Sequence, residues 1–276
     1  MTVAFTEIAD RVYVLRQPML DVNVTLVVGD GAALVVDTLS TAAQAAELAA
    51  AARSLTPDPF ILVNTHHHFD HCFGNATLVG DPPSPIYAHQ LTCALLRDHP
   101  ELVRRQAYDE VLPAEPALAT EVARTRILAP THPVQSETTV DVGGRPVVLR
   151  HLGRGHTEGD LVVQVPDADV LVAGDLIEES GPPAFEDAYP LDWVETVAAL
   201  LRLTTPDSVV VPGHGAVVGQ DFVQRQHEDL AALAWLIRDG DADHSPAEKI
   251  ARHAPFDPEV ALTAVRRGYA ELHGGL

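Results

Sequence analysis

The chain is 276 residues long and 46% hydrophobic, enough for one large domain or two small ones with a sizeable buried core. Its 18 Lys and Arg residues are outnumbered by 39 Asp and Glu residues, so the formal net charge is −21. Because such a charge repels phosphate backbones and anionic membrane surfaces, nucleic acids and membranes are excluded as expected partners.

The N-terminal stretch "MTVAFTEIADRVYV" argues against export. It carries Glu7 and Asp10 where a signal peptide needs an apolar run. No apolar stretch of the sequence approaches the roughly 20 residues that span a bilayer. We therefore expect a cytoplasmic protein in which Cys72 and Cys93 form no disulfide.

The first half of the sequence alternates strand and helix patterns. Two β-rich runs, at 22–28 and 33–37, are separated by a Gly-Asp-Gly turn and predict a hairpin. Thr41 begins a capping box ahead of an Ala-rich helix that should end near Pro57. The short apolar run at 60–64, "FILVN", is typical of a strand buried on both faces, and it leads directly into "THHHFDH".

The middle and second half continue this alternation. Residues 90–132 carry helical and irregular patterns, and the prolines of "PAEPAL" favour a connection over the surface between the two halves. Strands are then predicted in "PVVLRHLG", "LVVQV", "VLVAGD" and "SVVVPGHG", with a helix that begins at Trp193 and has Asp192 as its cap.

Two short helices are predicted near the C-terminus. "SPAEKI" and "DPEV" each place a cap residue before a proline at the first helical position, which indicates helices at 246–252 and 258–272. We expect residues 1–240 to form the main domain and residues 241–276 to form a small helical appendage.

The most informative segment is H-x-H-x-D-H, formed by His66, His68, Asp70 and His71. In extended backbone His66 and His68 point the same way, while the interleaved His67 points away from them. Asp70 and His71 are directed elsewhere, so two metal ions are indicated. Further ligand candidates stand beside glycines at predicted strand ends, namely His156, Asp175 and His214.

In their order along the chain, "THHHFDH", "GHTEGD", "AGD" and "PGHG" resemble the metal-binding motifs of the metallo-β-lactamase-fold superfamily, over a region from about Val12 to His214. The resemblance implies an αββα sandwich of two mixed β-sheets flanked by helices, with the site along the upper edge of the sheets. It implies His66, His68 and His156 as ligands of one metal, Asp70, His71 and His214 as ligands of a second, and Asp175 as a bridge. It also implies that Asp37 supports a ligand histidine.

This ligand set suits zinc, with iron or manganese as alternatives. Two zinc ions ~3.5–4 Å apart share a water whose pKa falls to roughly 7, so the expected nucleophile is metal-bound hydroxide that attacks a carbonyl carbon. Asp70 is expected to hold or relay the proton. The sequence contains no Gly-x-Ser-x-Gly elbow, which disfavours a serine nucleophile.

The charge pattern of residues 155–201 narrows the substrate. This segment holds eleven acidic residues and no Lys or Arg, so we expect an entrance that disfavours anions. Simple acidic surface is the alternative interpretation of the same segment. The predicted apolar contacts with the substrate are Met19, Leu20, Phe185, Tyr189 and Trp193.

The sequence therefore favours a metal-dependent hydrolase of a small neutral ester, lactone or lactam. A thioester hydrolase of the glyoxalase II type, a phosphoester hydrolase or an iron-dependent sulfur-oxidising relative remain as alternatives. A catalytically silent metal-binding protein is disfavoured, because a complete set of unused ligands would leave polar groups buried without compensation. The expected partner is a small-molecule substrate, and a homodimer is left open.

Overall fold

The computed structural model describes residues 4–275, so the first three residues of the predicted main domain and the last residue of the predicted appendage lie outside the described part. Strands β1 to β12 span Thr6–Ala9, Val12–Gln17, Val22–Val28, Ala33–Val36, Phe60–Val63, Ile86–His89, His132–Val134, Glu137–Val142, Arg145–Arg150, Val162–Val165, Val170–Glu178 and Val209–His214. Helices α1 to α10 span Ala42–Arg53, Phe69–Cys72, Asn75–Leu78, Gln90–Asp98, Pro100–Val111, Pro116–Val122, Pro190–Leu201, Gln220–Ala242, Ala247–Ala251 and Pro258–Leu272. In the described part, no helix is both long enough and apolar enough to cross a membrane.

The strands form two sheets that touch at one edge. The hydrogen-bonded order is β7-β6-β5-β4-β3-β12-β11-β10-β9-β8, with β2 pairing β3 and β1 pairing β2. Between β3 and β12 the pairing consists of one residue pair, Val22 with His214. This narrow contact is a seam that separates a first sheet, β1 to β7, from a second sheet, β8 to β12.

The central core lies between the two sheets. Val27 and Leu34 of the first sheet and Leu149 and Val163 of the second belong to one cluster of fully buried side chains. The predicted hairpin is confirmed, since β3 and β4 pair antiparallel, and the apolar run at 60–64 forms β5, which pairs parallel with β4 and with β6.

Helices cover the outer face of each sheet. On the first sheet, α1 buries Leu48 in a cluster with residues of β3, β4 and β5. On the second, α7, α8 and α10 bury Trp193, Ile237 and Val265 in another cluster. The layer order is therefore helix, sheet, sheet, helix, and the predicted αββα sandwich is confirmed.

The C-terminal helices form where the sequence predicts them, but they do not behave as an appendage. The predicted boundary between residues 240 and 241 falls inside α8. Helix α10 packs Ala264 and Val265 into the same cluster as Ile237 of α8. These helices are therefore part of the outer layer of the second sheet.

The N-terminal cap of α1 is the predicted one, whereas the N-terminus of α7 differs from the prediction. Thr41 accepts a hydrogen bond from the Gln44 backbone N–H at 3.2 Å, as predicted. Helix α7 starts three residues before the predicted Trp193, with Pro190 at its first position. Its free N–H groups are satisfied from a distance, because the Glu271 carboxylate accepts hydrogen bonds from the backbones of residues 191 and 192.

The connection at 90–132 is more than a strap over the surface. It contains α4, α5 and α6. Helix α5 buries Val103, Ala107 and Val111 in a cluster with Phe69, which lies within the histidine segment, and Phe73, which follows it. Helix α5 is therefore positioned beside the candidate site.

Candidate metal centre

The histidine segment is held by a buried aspartate at the end of the neighbouring strand. Asp37 follows β4 and has a left-handed backbone (φ 67°), which Asp tolerates better than most residues. Its carboxylate accepts hydrogen bonds from the Thr65 N–H at 2.8 Å, the Thr65 hydroxyl at 2.9 Å and His71 Nδ1 at 2.8 Å. This arrangement places Asp37 where the resemblance expects a support for a ligand histidine, and it directs His71 Nε2 toward the second ligand group.

The first ligand group comprises His66, His68, His156 and Asp175, whose ligand atoms all lie within 4.8 Å of one another. His66 and His68 come from the segment after β5, and His156 comes from the loop before β10. His68 Nδ1 lies 2.9 Å from His156 Nε2, and His66 Nε2 lies 3.6 Å from the Asp175 carboxylate. Such crowding of ligand nitrogens is what a shared cation would require.

The second ligand group comprises Asp70, His71 and His214, again within 4.8 Å of one another. His71 Nε2 lies 3.4 Å from His214 Nε2, which lies 3.5 Å from the Asp70 carboxylate. His214 Nδ1 donates to the Leu20 carbonyl at 2.7 Å, so the proton is held on the side away from the group. The Nε2 atoms of both histidines therefore face the same point.

Asp175 lies between the two groups. Its Oδ1 is 3.2 Å from His71 Nε2, and its Oδ2 is 3.2 Å from His214 Nε2 and 3.4 Å from His156 Nε2. A Cβ atom on Gly213 would lie 1.7 Å from Oδ1, so glycine is required for this close approach. The structure thus brings together all seven ligands implied by the resemblance, with Asp175 in the position of a bridge.

The pKa values of the site residues result from two opposing effects. Burial disfavours the charged form of each group, and nearby groups of opposite charge favour it. Burial would raise the pKa of Asp175, but His71 and His214 hold it well below its usual range. Burial would lower the pKa of His214, yet Asp175 raises it to about 10. His156 has no comparable compensation, and burial lowers its pKa to about 4. The site therefore holds neutral and charged imidazoles side by side.

The residues fit a divalent metal. Within the described part, His66 Nε2 and Asp175 Oδ1 are buried and have no hydrogen-bond partner. Unpaired buried polar atoms are costly, and both of these atoms face the ligand groups. Imidazole nitrogens and carboxylate oxygens are the donors that zinc prefers, so one bound cation per group would supply the missing partners.

Asp187 is a site residue whose role the sequence did not indicate. One carboxylate oxygen of Asp187 lies 3.2 Å from His68 Nε2 and 3.3 Å from His67 Nε2. Burial would lower the pKa of His68, but Asp187 and other carboxylates raise it to about 9. His67 belongs to neither of the two ligand groups, and its ring lies beside that of His68, with centroids 4.7 Å apart, so that both face this carboxylate. No sequence signal could have found the pair, because His68 and Asp187 are 119 residues apart.

A cavity of about 820 Å³ opens onto both ligand groups. Its apolar wall comes from Leu20, Phe69 and α5 residues Val103, Ala107 and Val111. Among the residues that the structure describes, no Lys or Arg lines it. Acidic side chains outside the ligand set that line it are Asp109, Glu110, Glu115, Glu178, Glu186 and Asp187.

Of the five predicted substrate contacts, one lines the cavity and four do not. Leu20 lines the cavity, whereas Met19 is exposed without lining it. Phe185 and Trp193 are 1% and 0% exposed, so their assignment to the cavity wall is wrong. Both rings pack in the core of the second helical layer, and Trp193 Nε1 donates to the Leu176 carbonyl.

Tyr189 is also directed away from the cavity. Its ring stacks beneath the Arg154 guanidinium at 4.2 Å, and it is not among the lining residues. The apolar wall that the sequence assigned to these aromatic rings is supplied instead by α5.

Comparison with known proteins places the chain in a family. The model of the metallo-beta-lactamase superfamily matches residues 18–214. The chain belongs to that superfamily. Its match with Metallo-beta-lactamase type 2 of Bacillus cereus, 27% identical over 159 residues, covers 56% of this chain and 52% of the relative, so the chain spans about half of that relative's length.

Longer matches extend to two kinds of enzyme. Metallo-beta-lactamase type 2 of Bacteroides fragilis is 23% identical over 80% of this chain and 83% of the relative. Acyl-coenzyme A thioesterase MBLAC2 of Gallus gallus is 26% identical over 78% of this chain and 79% of the relative. A solved metallo-beta-lactamase from Pontibacter korlensis has a TM-score of 0.67 at 20% identity, and covers 83% of this chain and 99% of its own. This last likeness shows the shared fold. The chain is thus a member of the superfamily with a candidate metal-binding cluster.

Proposed function

We propose that the protein is a hydrolase that holds two zinc ions and cleaves a small neutral ester, lactone or lactam. The observation that carries the proposal is the pair of ligand groups around Asp175, open to a cavity without cationic side chains among its described lining residues. The proposed ligands are those of the two groups, His66, His68, His156, Asp70, His71 and His214, with Asp175 shared between them.

The metal pair, when bound, supplies activation of a water and polarisation of a carbonyl group. The chain itself supplies orientation and proton handling. Asp37 and the Leu20 carbonyl fix the ring tautomers of His71 and His214, as described above. Asp70 is 6% exposed and lines the cavity, so its carboxylate is placed to accept a proton from the attacking water and return it to the leaving group.

The acidic lining supports a neutral substrate. Within the part of the chain that the structure describes, six acidic side chains outside the ligand set line the cavity, among them Glu110 on α5 and Glu186 on the loop after β11. A substrate with a carboxylate or phosphate lacks a cationic partner there, whereas an apolar acyl group can lie against Leu20 and Val103. A thioester is the second candidate, since relatives of this chain include an acyl-coenzyme A thioesterase.

Two measurements test the proposal. Elemental analysis after expression with balanced metals should return close to two zinc ions per chain, and a single tightly held iron would refute the zinc pair. Hydrolysis of a panel of lactones, lactams and thioesters should then identify the acyl class.

The charge of the substrate is tested separately. We expect higher kcat/KM for a neutral ester than for a carboxylate-bearing analogue, with a gap that narrows as salt screens charges beyond a Debye length of ~8 Å. Glu110→Lys should narrow the gap at low salt, and Glu115→Gln, which introduces no positive charge, should do so less. Preference for the anionic analogue, weakened by salt, would instead favour a thioester or phosphoester with charged parts.

A further inference from the structure

In the loop between β11 and α7, the Asp187 side chain contacts a histidine of the first ligand group. Asp187 receives His67 Nε2 and His68 Nε2 on a single carboxylate oxygen. In a neutral His68 ring, a proton held on Nε2 leaves Nδ1 unprotonated, and Nδ1 is the atom that faces His156 and the first ligand group. Asp187 thereby selects the tautomer of His68 that can bind a metal.

Asp187 cannot hold this position by its own packing. Its side chain is 43% exposed, whereas Asp37, which orients His71, is fully enclosed at 3%. A partly exposed carboxylate on an irregular loop keeps rotamer and backbone freedom unless the loop is fixed from outside. The structure shows what fixes it.

Arg267 of α10 holds the backbone on both sides of Asp187. Its guanidinium donates from Nε to the Ala188 carbonyl at 2.6 Å and from Nη1 to the Glu186 carbonyl at 3.0 Å. One turn further along α10, Glu271 accepts the N–H groups at the start of α7, at 2.9 and 3.2 Å. Helix α10 therefore forms hydrogen bonds with the backbone of the residues on either side of Asp187 and with the start of α7.

We propose that Arg267 is a positioning residue of the metal centre, which acts through the 186–188 backbone and Asp187 on His68. The inference rests on the proposed metal-binding function, because it takes His68 as a ligand. Arg267 lies outside residues 18–214, the part matched by the superfamily model. The C-terminal helix would thus tune the affinity of the first metal group in this chain.

The test compares the zinc affinity of full-length variants by competition with a chromophoric chelator. Loss of a group that orients a metal ligand typically costs about 10–100-fold in metal affinity. We expect Asp187→Ala to weaken one of two zinc sites by about tenfold or more, and Arg267→Ala to weaken the same site by several-fold. Arg267→Lys should recover part of the loss, because an ammonium group can reach one carbonyl but does not offer the paired donors of guanidinium.

The matched control is Arg266→Ala. Arg266 is the next residue of the same helix, carries the same charge, and pairs with Glu248 on the surface with a side chain that is 62% exposed. Its loss should leave both zinc affinities unchanged. Thermal unfolding of the metal-free variants separates a general loss of stability from a selective loss of metal binding.

The double variant tests the route. If Arg267 acts through Asp187, Arg267→Ala combined with Asp187→Ala should bind zinc no more weakly than Asp187→Ala alone. Nitrogen chemical shifts of the His68 ring should show loss of the Nε2–H tautomer in both single variants. Additive losses, or an Arg267→Ala variant with the zinc affinity of Arg266→Ala, would overturn the inference while leaving the metal centre intact. A wild-type chain that binds no zinc would overturn the proposed function as well.

Discussion

Asp37→Asn is the change that tests the logic of the site most sharply, because it preserves shape and removes one acceptor. In the native site all three neighbours of Asp37 donate to it: the Thr65 N–H, the Thr65 hydroxyl and His71 Nδ1. An asparagine offers one oxygen and one NH₂ group in their place. The backbone N–H of Thr65 cannot become an acceptor, so the amide oxygen must remain on that side.

The NH₂ group of the asparagine would then face His71 Nδ1. To accept a hydrogen bond, Nδ1 must lose its proton, which moves the proton to Nε2, the atom that faces Asp175 and His214. The Thr65 hydroxyl, which also lies 3.0 Å from His66 Nδ1, can accept from both sides, so His66 is affected less. The loss should therefore concentrate on the second ligand group.

The expected loss of zinc affinity follows from the cost of placing the His71 proton on Nε2. Removal of an orienting partner lowers metal affinity by about 10–100-fold, or about 1.4–2.7 kcal/mol. Native mass spectrometry at buffered free zinc should show the one-ion species of Asp37→Asn where the wild type holds two. Asp37→Ala is the contrasting control, since it strands the donors in a buried site and should reduce folding stability by about 3–5 kcal/mol. Two ions of unchanged affinity in Asp37→Asn would falsify the tautomer argument.

Two further predictions concern the bridge and a buried histidine outside the metal groups. Asp175→Asn should lower the occupancy of both ions in elemental analysis, because the Asp175 carboxylate lies within 3.4 Å of His71 in one group and of His156 in the other, and a loss confined to one ion would contradict the bridging role. His89 is buried and stacked on His151 at 4.0 Å, and burial lowers its pKa to about 4. Its folded-state pKa lies below the unfolded value of about 6.5, so the stability it contributes is present above that pH and is lost as pH falls toward 4. His89→Gln should flatten the fall of stability over this window by about 1–2 kcal/mol in chemical denaturation series, and an unchanged slope would count against this role.

Local patterns in the sequence predict the parts of the structure that local physics decides. The hairpin at 22–37 and the strand at 60–63 follow from alternation and turn residues, and Thr41 caps its helix through a neighbour three residues away. The ligand set was accessible for the same reason, since "THHHFDH" places four ligands within six residues. The remaining three were found beside glycines at predicted strand ends, although in the structure only His214 ends a strand, while His156 lies in the loop before β10 and Asp175 lies within β11.

The features that the sequence did not predict correctly depend on packing between segments that are distant in the sequence. An aromatic residue such as Trp193 suits a core and a substrate pocket equally in sequence, and its burial depends on packing against Phe185 and on the hydrogen bond to the Leu176 carbonyl of β11. The apolar wall from α5 was missed because the prolines of "PAEPAL" suggested a surface path. Asp187 was visible as one charge among eleven, but its contact with His68 depends on how a loop 119 residues away is held.

The position of the site at the seam between the sheets carries a consequence for stability. Four ligands belong to the first half and three to the second. The seam itself has one strand pair and a few hydrogen bonds: the Asn23 amide donates to the carbonyls of Pro212 and Gly215, the Gly215 N–H donates to the Asp21 carbonyl, and His214 Nδ1 donates to the Leu20 carbonyl. Metals would therefore cross-link the two halves where direct pairing is thinnest. At a free zinc concentration about 1,000-fold above Kd, each ion should add about 4 kcal/mol to the free energy of unfolding. Removal of zinc should lower Tm and increase hydrogen exchange first at the seam, around Val22 and His214, and later in the buried strands between the sheets. Uniform exchange across both sheets, or an unchanged Tm, would show that the intersheet core alone holds the halves together.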